Sequence, residues 1–196
     1  MRLVVGLIIL GLALPASGQS VVMAGGGETL ATAMVVTVSA RADGKVGGDA
    51  SGPGPLRILF GDGTRIAIAP EIWPASPVAP VSPQAAFEMI KVSPDRRTVG
   101  WLADFSVCAQ SYPCPVELGL YRAGAPIRRI LPDHGIFWGW GFIRAGRAVV
   151  AQSGYAHGPD DGVYDLYDAG TGRLLARYGA AGPAPAWVGD YNETNH

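Results

Sequence analysis

Two similar phrases, both beginning LYxAG, stand out in the second half of the sequence. LYRAGAPIRRIL begins at residue 120, and LYDAGTGRLLARY begins at residue 166. Each phrase places turn residues between short aliphatic and aromatic runs, a pattern typical of a β-hairpin. Each phrase closes a unit of two consecutive hairpins within residues 88–178. Since one such unit cannot bury its apolar face alone, we expect two sheets that cover one another.

Both units follow the same internal plan. The predicted hairpin turns lie at residues 93–96, 122–126, 144–147 and 168–172. Between its second and third strands, the first unit carries the insertion SVCAQSYPCP and the second carries SGYAHGPDDG. Because loops on a rigid scaffold commonly perform recognition, we expect these insertions to take part in binding.

The repeated hairpins resemble those of a known architecture. VSPDRRTVGW resembles the SPDG hairpin, and LYDAGTGRLL the DxxTG hairpin, of WD-repeat-like and periplasmic β-propeller blades. Arg96 stands where the first motif usually has glycine. The stretches SYPCPVELGLYRAG, FWGWGFI and YDLYDAGTGRLLARY also resemble a group of uncharacterised secreted bacterial proteins, over about residues 88–178. The resemblance implies export and β-repeat architecture, and it brings no catalytic residues.

Two units are too few to close a propeller ring, which usually needs four to eight blades. The predicted fold class is therefore all-β, with two four-stranded antiparallel blade-like units packed as a small sandwich or partial propeller, plus an N-terminal β segment. The alternative is that open sheet edges pair with another copy of the chain, giving a homo-oligomer.

Residues 1–18 have the pattern of a secretory signal peptide. Arg2 precedes an apolar run, and small residues lie before Gln19. The run is shorter than the roughly 20 residues that span a bilayer, so we expect cleavage and location in the periplasm or outside the cell, with no membrane span in the mature chain. A buried core segment and an uncleaved anchor remain alternatives.

The other segments are shorter. Residues 19–69 should form a β segment with a Gly-rich connector, in which Leu56, Ile58 and Phe60 share one face of a hairpin. Residues 70–87 contain five prolines, and we expect a strap across the surface. Residues 179–196 show no periodicity and should form a flexible tail.

Cys108 and Cys114 are the two cysteines of the chain. In an oxidising compartment a close pair predicts a disulfide, although a redox pair, free thiols and a metal site remain alternatives. The whole chain has 15 basic and 16 acidic residues, and no stretch of sequence is strongly basic. This balance, together with predicted export, argues against a nucleic-acid partner.

The histidines allow a metal site but do not require one. His134, His157, Asp160 and Asp161 would supply enough ligands if their loops meet. Turn formation explains the same Asp and Gly residues equally well. Ser153 precedes His157 by four residues but lacks the G-x-S-x-G elbow of a hydrolase nucleophile.

Aromatic residues are the remaining candidates for binding. Trp138 and Trp140 are two residues apart, so we expect them to share one face of a strand. With Tyr112 they would form a binding surface if exposed, or part of the core if buried.

We therefore expect an exported noncatalytic β-repeat module, without a cofactor, that binds a protein or an envelope glycan through its loops. The alternatives are an exported metal-dependent hydrolase that uses the four candidate ligands, and a degenerate partial propeller without independent activity.

Overall fold

The computed structural model describes residues 33–38, 54–60, 63–73, 81–107, 113–157, 162–179 and 181–195. Their strands and one helix, in chain order, are β1 Ala33–Val38, β2 Leu56–Phe60, β3 Arg65–Ile68, β4 Ile72–Trp73, β5 Ser82–Val92, β6 Thr98–Phe105, β7 Cys114–Arg122, β8 Arg128–Ile130, β9 Ile136–Ile143, β10 Ala148–Gly154, β11 Val163–Asp168, β12 Leu174–Gly179 and α1 Ala186–Asn195. The strands form three antiparallel sheets with the orders β1-β2-β3, β4-β5-β6-β7-β8 and β12-β11-β10-β9. The described protein is thus mostly β.

The two hairpin units lie in different sheets. The second unit is the four-stranded sheet of β9 to β12, in which neighbours along the chain are neighbours in the sheet. The first unit, β5 to β8, has the same plan but gains β4 at its edge and becomes a five-stranded sheet. The prediction of two four-stranded units is therefore met only in part.

The predicted turns lie where the turn residues placed them. In the β11–β12 turn, Asp168 Oδ1 accepts hydrogen bonds from the backbone N–H groups of Gly170 at 3.1 Å and Thr171 at 2.8 Å, and Gly172 has a φ of 72°. In the β5–β6 turn, Arg96 has a φ of 57°, a left-handed conformation that favours glycine. Arg96, which stands where the SPDG motif has glycine, thus occupies the strained position of this turn.

Three hydrophobic clusters hold four layers together. The first lies between the β1–β3 sheet and the five-stranded sheet, and it contains Leu56, Ile58 and Phe60 on one face of β2, as predicted. The second lies between the five-stranded and four-stranded sheets, and the third between the four-stranded sheet and α1. The two repeat units therefore do pack face to face, with another layer on each outer side.

Trp140 occupies the centre of the interface between the two units. Its side chain has no solvent exposure, and its Nε1–H donates a 3.0 Å hydrogen bond to the carbonyl of Met89 on β5. Lys91 Nζ donates to the Trp140 carbonyl at 2.6 Å and lies 5.6 Å from the ring centroid. Gly100 makes room for the ring, since a Cβ there would lie 2.5 Å from Trp140 Cη2.

The predicted strap over residues 70–87 is wrong in part. β4 pairs with the start of β5, and β5 already begins at Ser82. The side chain of Gln84 explains why this Pro-rich stretch can join a sheet. Its Oε1 accepts from the Glu71 N–H at 3.0 Å, and the backbone N–H of Gln84 donates to the Glu71 carbonyl at 2.8 Å.

The prediction of a flexible tail is wrong for residues 186–195, which form helix α1. Trp187, Val188 and Tyr191 lie on one side of that helix and are buried against the four-stranded sheet. All-β is therefore too narrow a description. No described helix is long and apolar enough to cross a membrane. The predicted signal peptide, residues 1–18, lies outside the described residues.

Candidate binding site at the insertion end

The two sheets of the repeat units stack so that their hairpin turns lie at the same end. Gly146, in the β9–β10 turn, packs against Ser93 and Asp95 of the β5–β6 turn. A Cβ built on Gly146 would lie 2.9 Å from Ser93 Cβ and 3.3 Å from Asp95 Oδ1. We call this the turn end. The two insertions leave their sheets at the opposite end, after Phe105 and after Gly154. We call that end the insertion end.

A β-bulge at the insertion end separates Trp138 from Trp140. Gln152 pairs with Gly139, and the next residue, Ser153, pairs with Phe137, so Trp138 is an extra residue in β9. Trp140 faces the five-stranded sheet. Trp138 instead lies against Gly154, on the face that carries α1. The prediction that the two tryptophans share a face is therefore wrong, because a bulge reverses the alternation of side chains.

Trp138 rests on two glycines. A Cβ on Gly154 would lie 2.3 Å from Cζ2 of the indole, and a Cβ on Gly162 would lie 2.6 Å from its Cζ3. The six-membered ring therefore covers both backbones, and the Gln152 amide lies beside it, 3.0 Å from the same Gly162 position. Trp138 is half-buried. This arrangement fixes one side of an aromatic ring and leaves part of it open to solvent.

Aromatic side chains continue from Trp138 across the same face of the four-stranded sheet. Tyr164 pairs with Gln152 on one side and with Tyr178 on the other. The ring centroids of Tyr164 and Tyr178 are 6.4 Å apart, and the Tyr164 ring meets that of Tyr191 from α1 at 6.0 Å. The helix covers part of this row. Trp138, which lies against Gly154 and Gly162, is at the end of the row where the insertion leaves the sheet.

The candidate metal ligands are only partly described. The pairing of Ile136 with Gly154 brings the segments that carry His134 and His157 to the insertion end, and both histidines are exposed. Asp160 and Asp161 lie outside the described residues. Within the described ranges, no three His, Cys, Asp or Glu side chains are grouped to hold a metal.

The other sequence candidates have separate outcomes. Ser153 is buried whereas His157 is exposed, which argues against a nucleophile and base pair. Cys114 is fully buried at the start of β7. Cys108 and Tyr112 lie outside the described residues, so the disulfide and the role of Tyr112 stay predictions.

A group that the sequence did not predict connects the two edges of the five-stranded sheet. Arg129, on β8, donates from Nε to both carboxylate oxygens of Glu71, at 2.8 and 2.7 Å, directly before β4. Because β4 and β8 are opposite edges, this ion pair requires the sheet to curl. Glu117 lies beneath it, with Oε1 3.5 Å from Arg129 Nε but in no hydrogen bond with any described residue.

Burial changes the acidity of Glu117. The side chain is almost entirely shielded from solvent, and its pKa is raised from 4.5 to about 7. Burial is the main cause, the neighbouring Glu71 carboxylate adds to it, and Arg129 acts in the opposite direction.

Asp104 is a second buried carboxyl on the same sheet. Its pKa is raised to about 7, first by burial and then by the charge of Glu88 and a hydrogen bond to it. Its Oδ1 has no hydrogen-bond partner among the described residues. Asp104 and Glu117 are therefore each present in both the protonated and the ionised form near neutral pH.

The Asp165 carboxylate is fully paired instead. Arg177 donates to it from Nε at 2.6 Å and from the terminal nitrogen at 2.9 Å, and the Tyr167 hydroxyl donates at 3.1 Å. Arg177 also pairs with Asp133, so the segment between β8 and β9 is tied to the second sheet. Burial, followed by the Asp165 charge, raises the pKa of Tyr167. This network is structural.

Comparison with protein-family models, curated proteins and solved structures found no match for this chain.

Proposed function

We propose that this protein is an exported noncatalytic binding module, and that its insertion end holds an envelope glycan by stacking a sugar ring on Trp138. The observation that carries the proposal is the seating of Trp138 over Gly154 and Gly162. A half-buried planar ring held against two glycines suits stacking on the apolar face of a sugar. The adjacent Gln152 amide supplies both a donor and an acceptor for hydroxyl groups.

Two further features support this reading. The glycines have a physical reason to be there, because any side chain would displace the ring from its seat. The two hairpin units, which we interpret as blade-like repeats, hold both insertions on rigid sheets. Such scaffolds lower the ordering entropy that binding must overcome.

The test is isothermal titration calorimetry of the mature protein with soluble fragments of bacterial envelope polysaccharides. We expect Trp138→Ala to weaken binding about tenfold, which corresponds to about 1.4 kcal/mol. Trp138→Phe should retain part of the affinity, because it keeps an aromatic face. Ile72→Ala, at an exposed apolar residue of another sheet, is the control and should change nothing.

Equal affinity of wild type and Trp138→Ala would contradict the glycan site. If no polysaccharide binds but a protein is captured from envelope extract in a Trp138-dependent way, the partner is a protein. Export is tested separately, by fractionating cells that express the chain with and without residues 1–18.

The placement of the segments that carry His134 and His157 at the same end of the sheet keeps the metal-dependent hydrolase as a second candidate. Zinc titration of the wild type and of the double variant H134A/H157A tests it directly. Loss of stoichiometric zinc binding in the variant would favour the hydrolase over the binding module. A protein that binds neither glycan, protein nor metal would fit the degenerate propeller.

A further inference from the structure

The four hairpin turns of the repeat units join into one surface at the turn end. Within the first unit, the Ala123 N–H donates to the Arg97 carbonyl at 3.3 Å, which connects the β5–β6 and β7–β8 turns. Within the second unit, the Ala169 N–H donates to the Arg147 carbonyl at 3.1 Å, which connects the β9–β10 and β11–β12 turns.

Contacts between the two units close this surface into a ring. Gly146 abuts Ser93 of the β5–β6 turn. On the other side, Arg128 Nε at the start of β8 lies 3.4 Å from the Gly170 carbonyl in the β11–β12 turn. The four turns are thus one continuous and structured face, although they are far apart in sequence.

This face carries a concentrated positive charge. Of the 15 basic and 16 acidic residues in the chain, residues 93–97, 122–128, 144–147 and 168–173 hold seven arginines and two aspartates. Their formal charge of +5 contrasts with the net charge of −1 for the whole chain. The arginines are Arg96, Arg97, Arg122, Arg128, Arg144, Arg147 and Arg173.

The negative charges of the two aspartates are already included in this total of +5. Asp168 Oδ1 is occupied by the backbone and hydroxyl of Thr171, and Asp95 lies 3.6 Å from Arg122. Arg97, Arg144 and Arg173 are exposed, and no ion pair involves them within the described parts of the chain.

We propose that the turn end is a binding face for a polyanionic polysaccharide, one that carries repeated carboxylate, sulfate or phosphate groups. The guanidinium group presents several N–H donors in a planar fork that matches such oxyanions. The charge is supplied by arginine alone, without lysine, in all four turns. This inference goes beyond the proposed function, because it concerns the end of the molecule opposite to Trp138.

The same face fits a bilayer or a nucleic-acid duplex less well. Among the described residues, no large exposed hydrophobic residue lies in the four turns themselves, and two, Leu174 and Leu175, directly follow the β11–β12 turn, so this end offers little apolar surface to insert at a lipid interface. The turns also present no helix or extended ribbon to a DNA groove. A flexible polyanionic chain needs neither feature, since it can follow arginines distributed over a rounded surface.

The test uses affinity chromatography and fluorescence anisotropy of the mature chain with labelled polygalacturonate and labelled heparin as probes and dextran as the neutral control. We expect binding to both polyanions and none to dextran. Affinity should fall steeply with salt, because each contact releases counterions. R97Q/R144Q should weaken binding at least about tenfold and lower the slope of log affinity against log salt by about two.

R57Q/R65Q is the matched control, since Arg57 and Arg65 are exposed on the N-terminal hairpin and their loss changes the net charge equally. It should bind like the wild type. Equal weakening by both pairs, or no binding to either polyanion at low salt, would overturn the proposal. So would affinity for phosphatidylglycerol vesicles or duplex DNA that equals the affinity for the polysaccharides. R144Q/R173Q serves if circular dichroism shows that R97Q/R144Q is misfolded.

Discussion

Replacing Glu117 by Gln should stabilise the protein at alkaline pH and leave it nearly unchanged at acidic pH. The folded-state pKa of Glu117, about 7, exceeds its ordinary value of 4.5. A carboxyl with a raised pKa stabilises the fold only while it is protonated. That stability is complete below pH 4.5 and is lost as pH rises through about 7.

The magnitude follows from the difference between the two pKa values. A difference of about 2.5 units at 1.36 kcal/mol per unit gives about 3 kcal/mol at full ionisation. Glutamine has nearly the shape of the protonated acid and never ionises, so E117Q should be more stable than the wild type by up to about 3 kcal/mol at pH 8.5. For a chain of this size that difference corresponds to a Tm increase of about 6–12 °C.

The assay is urea unfolding of wild type and variant at pH 5 and pH 8.5, followed by tryptophan fluorescence. Asp104 also titrates over this range, but its contribution is common to both proteins and cancels in their difference. E193Q, at an exposed glutamate of α1, is the control and should have the same effect at both pH values. A free-energy difference for E117Q that does not change with pH would refute the reasoning.

Three further predictions concern backbone and covalent features. Arg96→Gly should stabilise the protein by about 1 kcal/mol in urea unfolding, because it relieves the φ of 57°; a loss of stability would contradict this. Gly154→Ala should lower the free energy of unfolding by more than about 2 kcal/mol and shift tryptophan emission, since the new methyl would collide with Trp138. Wild-type stability and emission would contradict the packing of Trp138 on Gly154. Intact-mass measurement after alkylation with and without reduction should reveal a Cys108–Cys114 disulfide, and labelling of both thiols without reductant would exclude it.

The hairpins were predictable because residues within each turn determine its conformation. Asp168 and Gly172 provide the side-chain acceptor and the positive φ that the β11–β12 turn needs, so neither depends on distant contacts. Because LYRAGAPIRRIL and LYDAGTGRLLARY are similar, the same type of hairpin could be predicted in both units. Face-to-face packing of the two units followed from the need to cover apolar surface.

Bulges limited what the sequence could reveal about the site. Alternation predicts which side chains share a face only while every residue has a partner, and the extra residue at Trp138 breaks that rule. The register also shifts between Ala103 and Asp104, which helps to set which of the acids in β6 and β7 face the interior. Glu117 could have been noticed as a charge within an apolar strand, but its burial depends on the curl of the sheet.

The helix was hidden for another reason. Among the helix residues whose burial is described, three anchor α1, namely Trp187, Val188 and Tyr191. A Gly- and Pro-rich stretch precedes them, so the apolar pattern is too short to recognise. Its position is set by the exposed face of the four-stranded sheet, which no local signal describes.

The packing of α1 on the four-stranded sheet bears on how many repeat units can stack. Repeat architectures grow by adding another module to an uncovered outer surface, and they stop where a terminal element caps that surface. Here α1 covers the far side of the second unit and the β1–β3 sheet covers the far side of the first. Within the described residues, both outer faces of the stacked units therefore carry a covering element, which limits the apolar surface on which a third module could stack.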